Sequence, residues 1–144
     1  MTFVDALIPI AGLLAVTVAV GVAVRWRAGR PRRTDGDEAI EPHRLGADRL
    51  GEQATLLQFS TEKGSHCPTV HRTLHEIAAE REGVLHLDID LTHRPDIAKH
   101  FNVLQTPTTL ILDRRGVVQT RFGGAPRRDV VELELTRVSK LAHA

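Results

Sequence analysis

The stretch that decides the fold runs from Leu56 to Pro68 and reads Leu-Leu-Gln-Phe-Ser-Thr-Glu-Lys-Gly-Ser-His-Cys-Pro. Its first residues belong to the apolar run Ala54–Ser60, which is typical of a buried central strand. A turn follows, and Cys67 lies in the first turn of an amphipathic helix predicted over about 65–82, where apolar residues recur at helical spacing. This unit of strand, turn, cysteine and helix predicts an α/β domain.

The residues after this unit continue the alternation of strands and helices. Strict alternation of apolar and polar residues predicts a strand at Val84–Asp90, and a short helix opens near Pro95. A proline then precedes the apolar strand Thr108–Asp113, which a second strand at about 117–122 follows as a hairpin. A last helix starts at Ala125. Two strand–helix units followed by a hairpin and a helix predict a mixed sheet with helices on both faces.

The N-terminal segment predicts a membrane anchor. Ala6–Val24 holds 19 uncharged, largely apolar residues, and as a helix it would span roughly 30 Å, the thickness of a bilayer core. A cleaved signal peptide would begin with basic residues and end at a small-residue cleavage site. This segment begins Met-Thr-Phe-Val-Asp and ends on Arg25-Trp26-Arg27, so we expect an uncleaved, single-pass anchor over residues 1–26.

Five arginines follow the anchor closely, namely Arg25, Arg27, Arg30, Arg32 and Arg33. Basic residues beside a membrane helix favour the cytoplasmic side, so the sequence predicts a domain at the cytoplasmic face of the cell membrane. A lone thiol stays reduced there. The same arginines could attract anionic lipid headgroups. Residues 27–52 are expected to be a charged linker and residues 53–144 the folded domain.

Composition narrows the functional classes. The 144 residues carry a formal net charge of +1, so no bulk electrostatic field favours nucleic acid, and no nucleic-acid partner is expected. The chain has one cysteine, which excludes an internal disulfide.

These pieces, in this order, resemble the thioredoxin superfamily, and most closely small membrane-anchored thioredoxin-like proteins of actinobacteria. The resemblance covers about residues 54–138. The residues that carry it are Leu57-Gln58-Phe59-Ser60 before the motif, Cys67 at the head of the helix, Val103-x-x-Thr106-Pro107-Thr108, and Gly123-Gly124 before the last helix. It implies a thioredoxin-like mixed sheet flanked by helices, preceded here by one transmembrane helix.

The resemblance also assigns roles to single residues. The family's CxxC motif is degenerate and reads Gly64-Ser65-His66-Cys67, so Gly64 stands at the nucleophile's position and Cys67 at that of the resolving thiol. In the family, the Thr106–Pro107 bond would be cis, and Thr106 would pair with the backbone of an extended substrate. The alternative is a proline that merely starts an edge strand.

A second pair of positions departs from the family pattern. Gln58 stands where thioredoxins often have a buried, proton-relaying aspartate. His86 falls at the position of the lysine that partners this aspartate. The resemblance therefore implies altered proton transfer at the site.

Two functions remain open. The first is thiol redox chemistry through Cys67 alone, by mixed-disulfide exchange with a client protein or a small thiol, impaired as a dithiol oxidoreductase. The positive end of the helix and the adjacent His66 are expected to favour its thiolate. The alternative is a catalytically silent binding module that holds a client protein at the membrane, with Cys67 a buried, inert remnant. Whether the chain is an enzyme is therefore left open.

Metal binding is a weaker hypothesis. Cys67, His71 and His75 lie four residues apart on one helical stripe, and thiolate and imidazole both suit zinc or copper. Ligands eight residues apart on a straight helix are about 12 Å apart, too far to share one ion. We therefore expect histidines on a solvated helix flank, with no metal and no cofactor.

Overall fold

The computed structural model describes residues 2–27, 29–33 and 39–141. The elements in these ranges are α1 (Phe3–Arg27), β1 (Pro31–Arg33), a 3-10 turn (Pro42–Leu45), β2 (Ala54–Ser60), α2 (Cys67–Glu80), β3 (Val84–Asp90), α3 (Pro95–His100), β4 (Thr108–Asp113), β5 (Val118–Gly123) and α4 (Arg128–Leu141). The predicted mixed sheet flanked by helices is confirmed.

The sheet has the strand order β1-β5-β4-β2-β3. Strands β2 and β3 are parallel, as their connection through α2 requires, and all other neighbours are antiparallel. Strand β4 lies between β2 and β5. Pro107 therefore precedes a central strand, and the alternative of an edge-strand proline does not apply.

The core is divided between the two faces of the sheet. On one face, α2 and α4 cover Leu56, Ile111 and Phe122. On the other face, Leu57 and Phe59 pack with residues that include Ile97 of α3. Successive residues of a strand point to opposite faces. Strand β2 is apolar along nearly its whole length because both of its faces are covered.

Part of the expected linker joins the sheet. Strand β1 pairs antiparallel with β5 and covers an edge that would otherwise present unpaired backbone groups. The turn before it depends on Gly29, whose φ of +77° favours glycine and whose N–H donates to the Gly123 carbonyl at 2.7 Å. Arg33 of β1 also lies 3.5 Å from the buried Glu134 carboxylate of α4. These contacts tie the segment after α1 to the domain.

Helix α1 buries none of its described residues. Its side chains are all exposed, and its most apolar 18-residue window has a mean hydropathy of 2.5. Within the described ranges it is the one helix long and apolar enough to cross a membrane. The predicted apolar segment lies entirely inside it.

Candidate functional site

Cys67 is the first residue of α2 and is only 5% exposed. Its N–H donates to the Gly64 carbonyl at 3.3 Å. The loop between β2 and α2, residues 61–66 and called the motif loop below, therefore closes tightly before the helix. The helix begins two residues later than the sequence predicts. Pro68 lies in its first turn, where the missing N–H of a proline does no harm.

Gly64 lies directly against the cysteine side chain. A Cβ at this position would collide with Cys67 Sγ and lie 3.4 Å from Cys67 Cβ. The sulfur therefore points to the place where a side chain at Gly64 would start. Residues 64 and 67 therefore approach each other closely, although only Cys67 carries sulfur.

The loop before β4, residues 101–107, contacts the motif loop. The peptide bond between Thr106 and Pro107 is cis, and Thr106 Oγ1 lies 3.1 Å from Thr61 Oγ1. The backbone N–H and C=O of Thr106 make none of the backbone hydrogen bonds within the described residues. Leu104, two residues earlier, is 87% exposed. This loop therefore offers backbone groups and an apolar side chain at the surface beside the motif.

Gln58 links the cysteine to a histidine. Its side chain is fully buried, and Nε2 donates to the Cys67 carbonyl at 3.1 Å. Its Oε1 lies 3.2 Å from His86 Nε2. An amide oxygen only accepts hydrogen bonds, so His86 donates from Nε2. Gln58 and His86 are thus joined to each other, and Gln58 is joined to the backbone of Cys67 and not to its sulfur.

His86 belongs to a cluster that sequence reasoning missed. Its ring centroid lies 4.9 Å from that of His71 and 6.2 Å from that of His75. His71 Nδ1 lies 2.7 Å from Asp88 Oδ2. The rings of His71 and His75 are exposed on the helix flank, as expected, but β3 brings a third histidine against them. The sequence could have indicated this cluster, because His86 and Asp88 share one face of a strand that α2 must cover.

Burial and the two neighbouring histidines disfavour the charged form of His86. Burial, followed by the charges of His71 and His75, lowers the pKa of His86 from 6.5 to about 4, and the Asp88 carboxylate opposes this shift. A neutral ring is consistent with donation from Nε2 to Gln58. Across the described part of the chain, no group of three or more His, Cys, Asp or Glu side chains is arranged to hold a metal ion.

His66 precedes the helix, and its ring is exposed. Its side chain makes no capping bond and no hydrogen bond with another described residue, and its carbonyl accepts from the Val70 N–H at 3.0 Å. Its expected influence on Cys67 stays a prediction.

No family model and no curated protein matches the chain. Solved structures do. Mitochondrial thioredoxin 3 from Saccharomyces cerevisiae is 20% identical, with 60% of this chain and 79% of that chain covered and a TM-score of 0.52. The germline-specific thioredoxin Deadhead from Drosophila melanogaster is 17% identical over 60% and 81%, also with a TM-score of 0.52. Thioredoxin NaTrxh from Nicotiana alata is 23% identical over 60% and 73%, again with a TM-score of 0.52. The chain therefore has a thioredoxin-like fold.

Proposed function

We propose that this chain is a membrane-tethered thioredoxin-fold protein whose Cys67 exchanges thiols with a partner that supplies the second sulfur. The observation that carries the proposal is the direction of Cys67 Sγ, which points to the side-chain position of Gly64. A thioredoxin would carry its own attacking sulfur there. In this chain, the sulfur of a client protein or a small thiol approaches Cys67 from that side.

The exchange requires one disulfide and two thiols. The thiolate of Cys67 attacks a disulfide R–S–S–R′, the S–S bond breaks, and Cys67–S–S–R forms. The leaving R′–S⁻ takes up a proton equivalent to the one that Cys67 lost. A second thiol R″–SH then attacks the mixed disulfide, releases R–S–S–R″ and restores Cys67. Electrons and protons balance without any other oxidant or reductant.

The partner must supply that second thiol because the chain has one cysteine. Dithiol oxidoreductases resolve the mixed disulfide with their own second sulfur. Gly64 offers none, so the mixed disulfide persists until an external thiol arrives. We therefore expect stoichiometric modification and no catalytic turnover on protein disulfides by the chain alone.

A client segment would lie along the loop before β4. The backbone groups of Thr106, which make no backbone hydrogen bond with a described residue, can pair with an extended strand, and pairing of this kind is a common mode of peptide recognition. Leu104 adds an exposed apolar contact beside it. Binding there would bring a client sulfur near the motif loop, because Thr106 contacts Thr61 of that loop.

Helix α1 supports the membrane tether, and the arginines after it support a domain on the cytoplasmic side of the cell membrane. Tethering confines the thiol to reactions with clients or small thiols at that surface.

The intact mass of the purified full chain tests the redox proposal. After incubation with oxidised glutathione in mild detergent, the folded protein should carry one glutathione adduct that a reductant removes. The Cys67→Ser variant should carry none. An adduct that forms only after denaturation would contradict the proposal.

One observation favours a second function. Cys67 is only 5% exposed, and buried cysteines behave as small inert side chains. A silent binding module would use the Leu104–Thr106 surface to hold a client and would not need the thiol. In that case, Cys67→Ala would leave client capture unchanged, whereas Thr106→Pro, which removes a backbone donor, would weaken it.

A further inference from the structure

We propose that the cleft between the end of α1 and the β1–β5 side of the sheet binds the phosphate of an anionic lipid headgroup. This inference goes beyond thiol exchange. It rests only on the membrane tether within the proposed function.

The cleft has a volume of about 950 Å³. Its walls come from the end of α1, from β1 and β5, and from the loop before β4. Five arginines line it, namely Arg27, Arg30, Arg32, Arg33 and Arg121.

Among the described residues, few groups compensate the positive charge in the cleft. Arg33 pairs with Glu134 at 3.5 Å. Arg121 donates to the carbonyl oxygens of Phe101 at 2.6 Å and Asn102 at 3.0 Å, which are neutral acceptors. In the described ranges, no carboxylate lies within ion-pair distance of Arg121 or of the three arginines Arg27, Arg30 and Arg32. Four guanidinium groups thus line one cleft without a described counterion.

An anion bound in the cleft would stabilise the charged form of Arg121. Burial and the neighbouring charge of Arg32 lower the pKa of Arg121, which means that the charged guanidinium is disfavoured where it lies. A phosphate offers several acceptor oxygens and suits the planar fork of N–H donors that each guanidinium presents. Phosphate is therefore the ligand chemistry that these side chains favour.

The position of the cleft identifies a lipid as the source of this phosphate. Arg27 is both a wall of the cleft and the last residue of α1, the helix long enough to cross a membrane. Headgroups begin where such a helix leaves the hydrocarbon core. Basic groups at the level of the headgroups are attracted to anionic lipids. A bound headgroup would reach the cleft without leaving the membrane.

The cleft shares a wall with the candidate thiol site. Gln105 and Thr108 line the cleft on either side of Thr106 and Pro107. The Thr108 hydroxyl donates to the Gln105 carbonyl at 2.6 Å, which closes the loop between them. A bound headgroup would therefore hold the client-binding loop at a defined orientation to the membrane surface.

Native mass spectrometry of the full chain in mild detergent tests the proposal, with phosphatidylglycerol as the anionic probe and phosphatidylcholine as the neutral one. We expect tighter binding of phosphatidylglycerol by the unmodified chain. Arg32→Gln and Arg121→Gln should each weaken it about fivefold, the effect of one basic residue near an anionic surface. Arg114→Gln is the matched control, because this substitution removes the same charge. Arg114 is exposed at the turn of the β4–β5 hairpin, at the opposite end of these strands from the cleft. This variant should bind like the unmodified chain.

Equal losses in all three variants would overturn the proposal, since net charge alone would then explain binding. Equal affinity for the two lipids would overturn it as well. Displacement of the lipid by inorganic phosphate at comparable concentration would show a free-phosphate site and overturn the lipid assignment. If Arg121→Gln unfolds the loop, the comparison of Arg32→Gln with Arg114→Gln still tests the proposal. The glutathione adduct on Cys67, measured on the same samples, reports separately on thiol exchange.

Discussion

Cys67 Sγ lies so close to Gly64 that any side chain on this glycine would start in contact with the sulfur. The Cβ–Cβ separation would be 3.4 Å, against about 3.8 Å in an average disulfide. A shift of a few tenths of an ångström would therefore allow a disulfide. The backbone at residues 64 and 67 thus has room for a disulfide, although only Cys67 carries sulfur.

Gly64→Cys should therefore restore a dithiol. We expect the variant to form an internal disulfide and to reduce insulin at a rate at least about tenfold above the background rate measured with the unmodified chain, equivalent to about 1.4 kcal/mol of barrier. It should stay below a full thioredoxin, because Gln58 cannot relay a proton as an aspartate does. Insulin turbidity and a thiol count check both points.

Gly64→Ala is the matched control for this prediction, since it adds the Cβ without the sulfur. It should show no insulin reduction. Multiple turnovers by the unmodified chain, without another dithiol present, would contradict the proposed single-thiol chemistry.

Gln58 should contribute to stability through its two hydrogen bonds. Gln58→Leu keeps the volume, removes the hydrogen bond that Gln58 Nε2 donates to the Cys67 carbonyl, and leaves His86 Nε2 without the Gln58 Oε1 acceptor. An unpaired buried polar group costs about 1–3 kcal/mol, and each kcal/mol lowers the Tm of a domain this size by about 4–8 °C. Thermal unfolding of the full chain in detergent measures this. Gln105→Leu, at an exposed glutamine, should change the free energy of unfolding by less than about 0.5 kcal/mol.

The sequence predicts the central strands well, because their patterns are strong. Strands β2, β3 and β4 begin and end at the predicted residues. Strand β1 was not predicted, because Pro31-Arg32-Arg33 has no apolar alternation and is a strand only through pairing with β5. Strand β5 begins at Val118 because Val117 bridges Ala39 instead.

The candidate site, like the fold, was predicted only in part. The position of Cys67 at the head of a helix follows from local pattern. The approach of His86 to His71 depends on the position of β3 relative to α2. The spacing of residues along the sequence does not determine this position. The arginine cleft was missed for a similar reason. Arg121 is 89 residues after Arg32 along the chain, and only the β1–β5 pairing makes them Cα partners.

The histidine cluster predicts a pH-dependent stability. The pKa of His86 is lowered from 6.5 to about 4, so the unfolded chain binds more protons between these values. Stability should therefore fall as the pH drops from about 6.5 to 4. The full shift corresponds to about 3 kcal/mol, and solvent screening of a partly exposed ring reduces the expected loss to about 1–2 kcal/mol.

Thermal unfolding across this pH range measures the effect. His86→Gln, which cannot be protonated, should flatten the profile. His93→Gln is the control at an exposed histidine outside the cluster, and it should leave the profile unchanged. Parallel profiles for all three proteins would show that His86 carries no such linkage.

The arginines after α1 predict the side of the membrane on which the domain lies. A reporter active only in the cytoplasm should be active when fused after the last residue, because basic residues beside a membrane helix are retained on that side. Neutralising the five arginines from Arg25 to Arg33 should weaken this orientation. Activity from an exported reporter at the same position, with silence from the cytoplasmic one, would reverse the topology.

His66 offers the last test of the thiol. If its imidazole and the positive end of α2 favour the thiolate of Cys67, His66→Ala should slow alkylation of the folded protein near neutral pH. His93→Ala, at an exposed histidine far along the chain from the motif, should not. Burial acts in the opposite direction, because desolvation favours the neutral thiol. Alkylation that is slow in the folded chain at every pH, unaffected by His66→Ala and fast only after unfolding would mean that burial dominates. Cys67 would then be a structural remnant, and the fold would serve to bind a client without thiol chemistry.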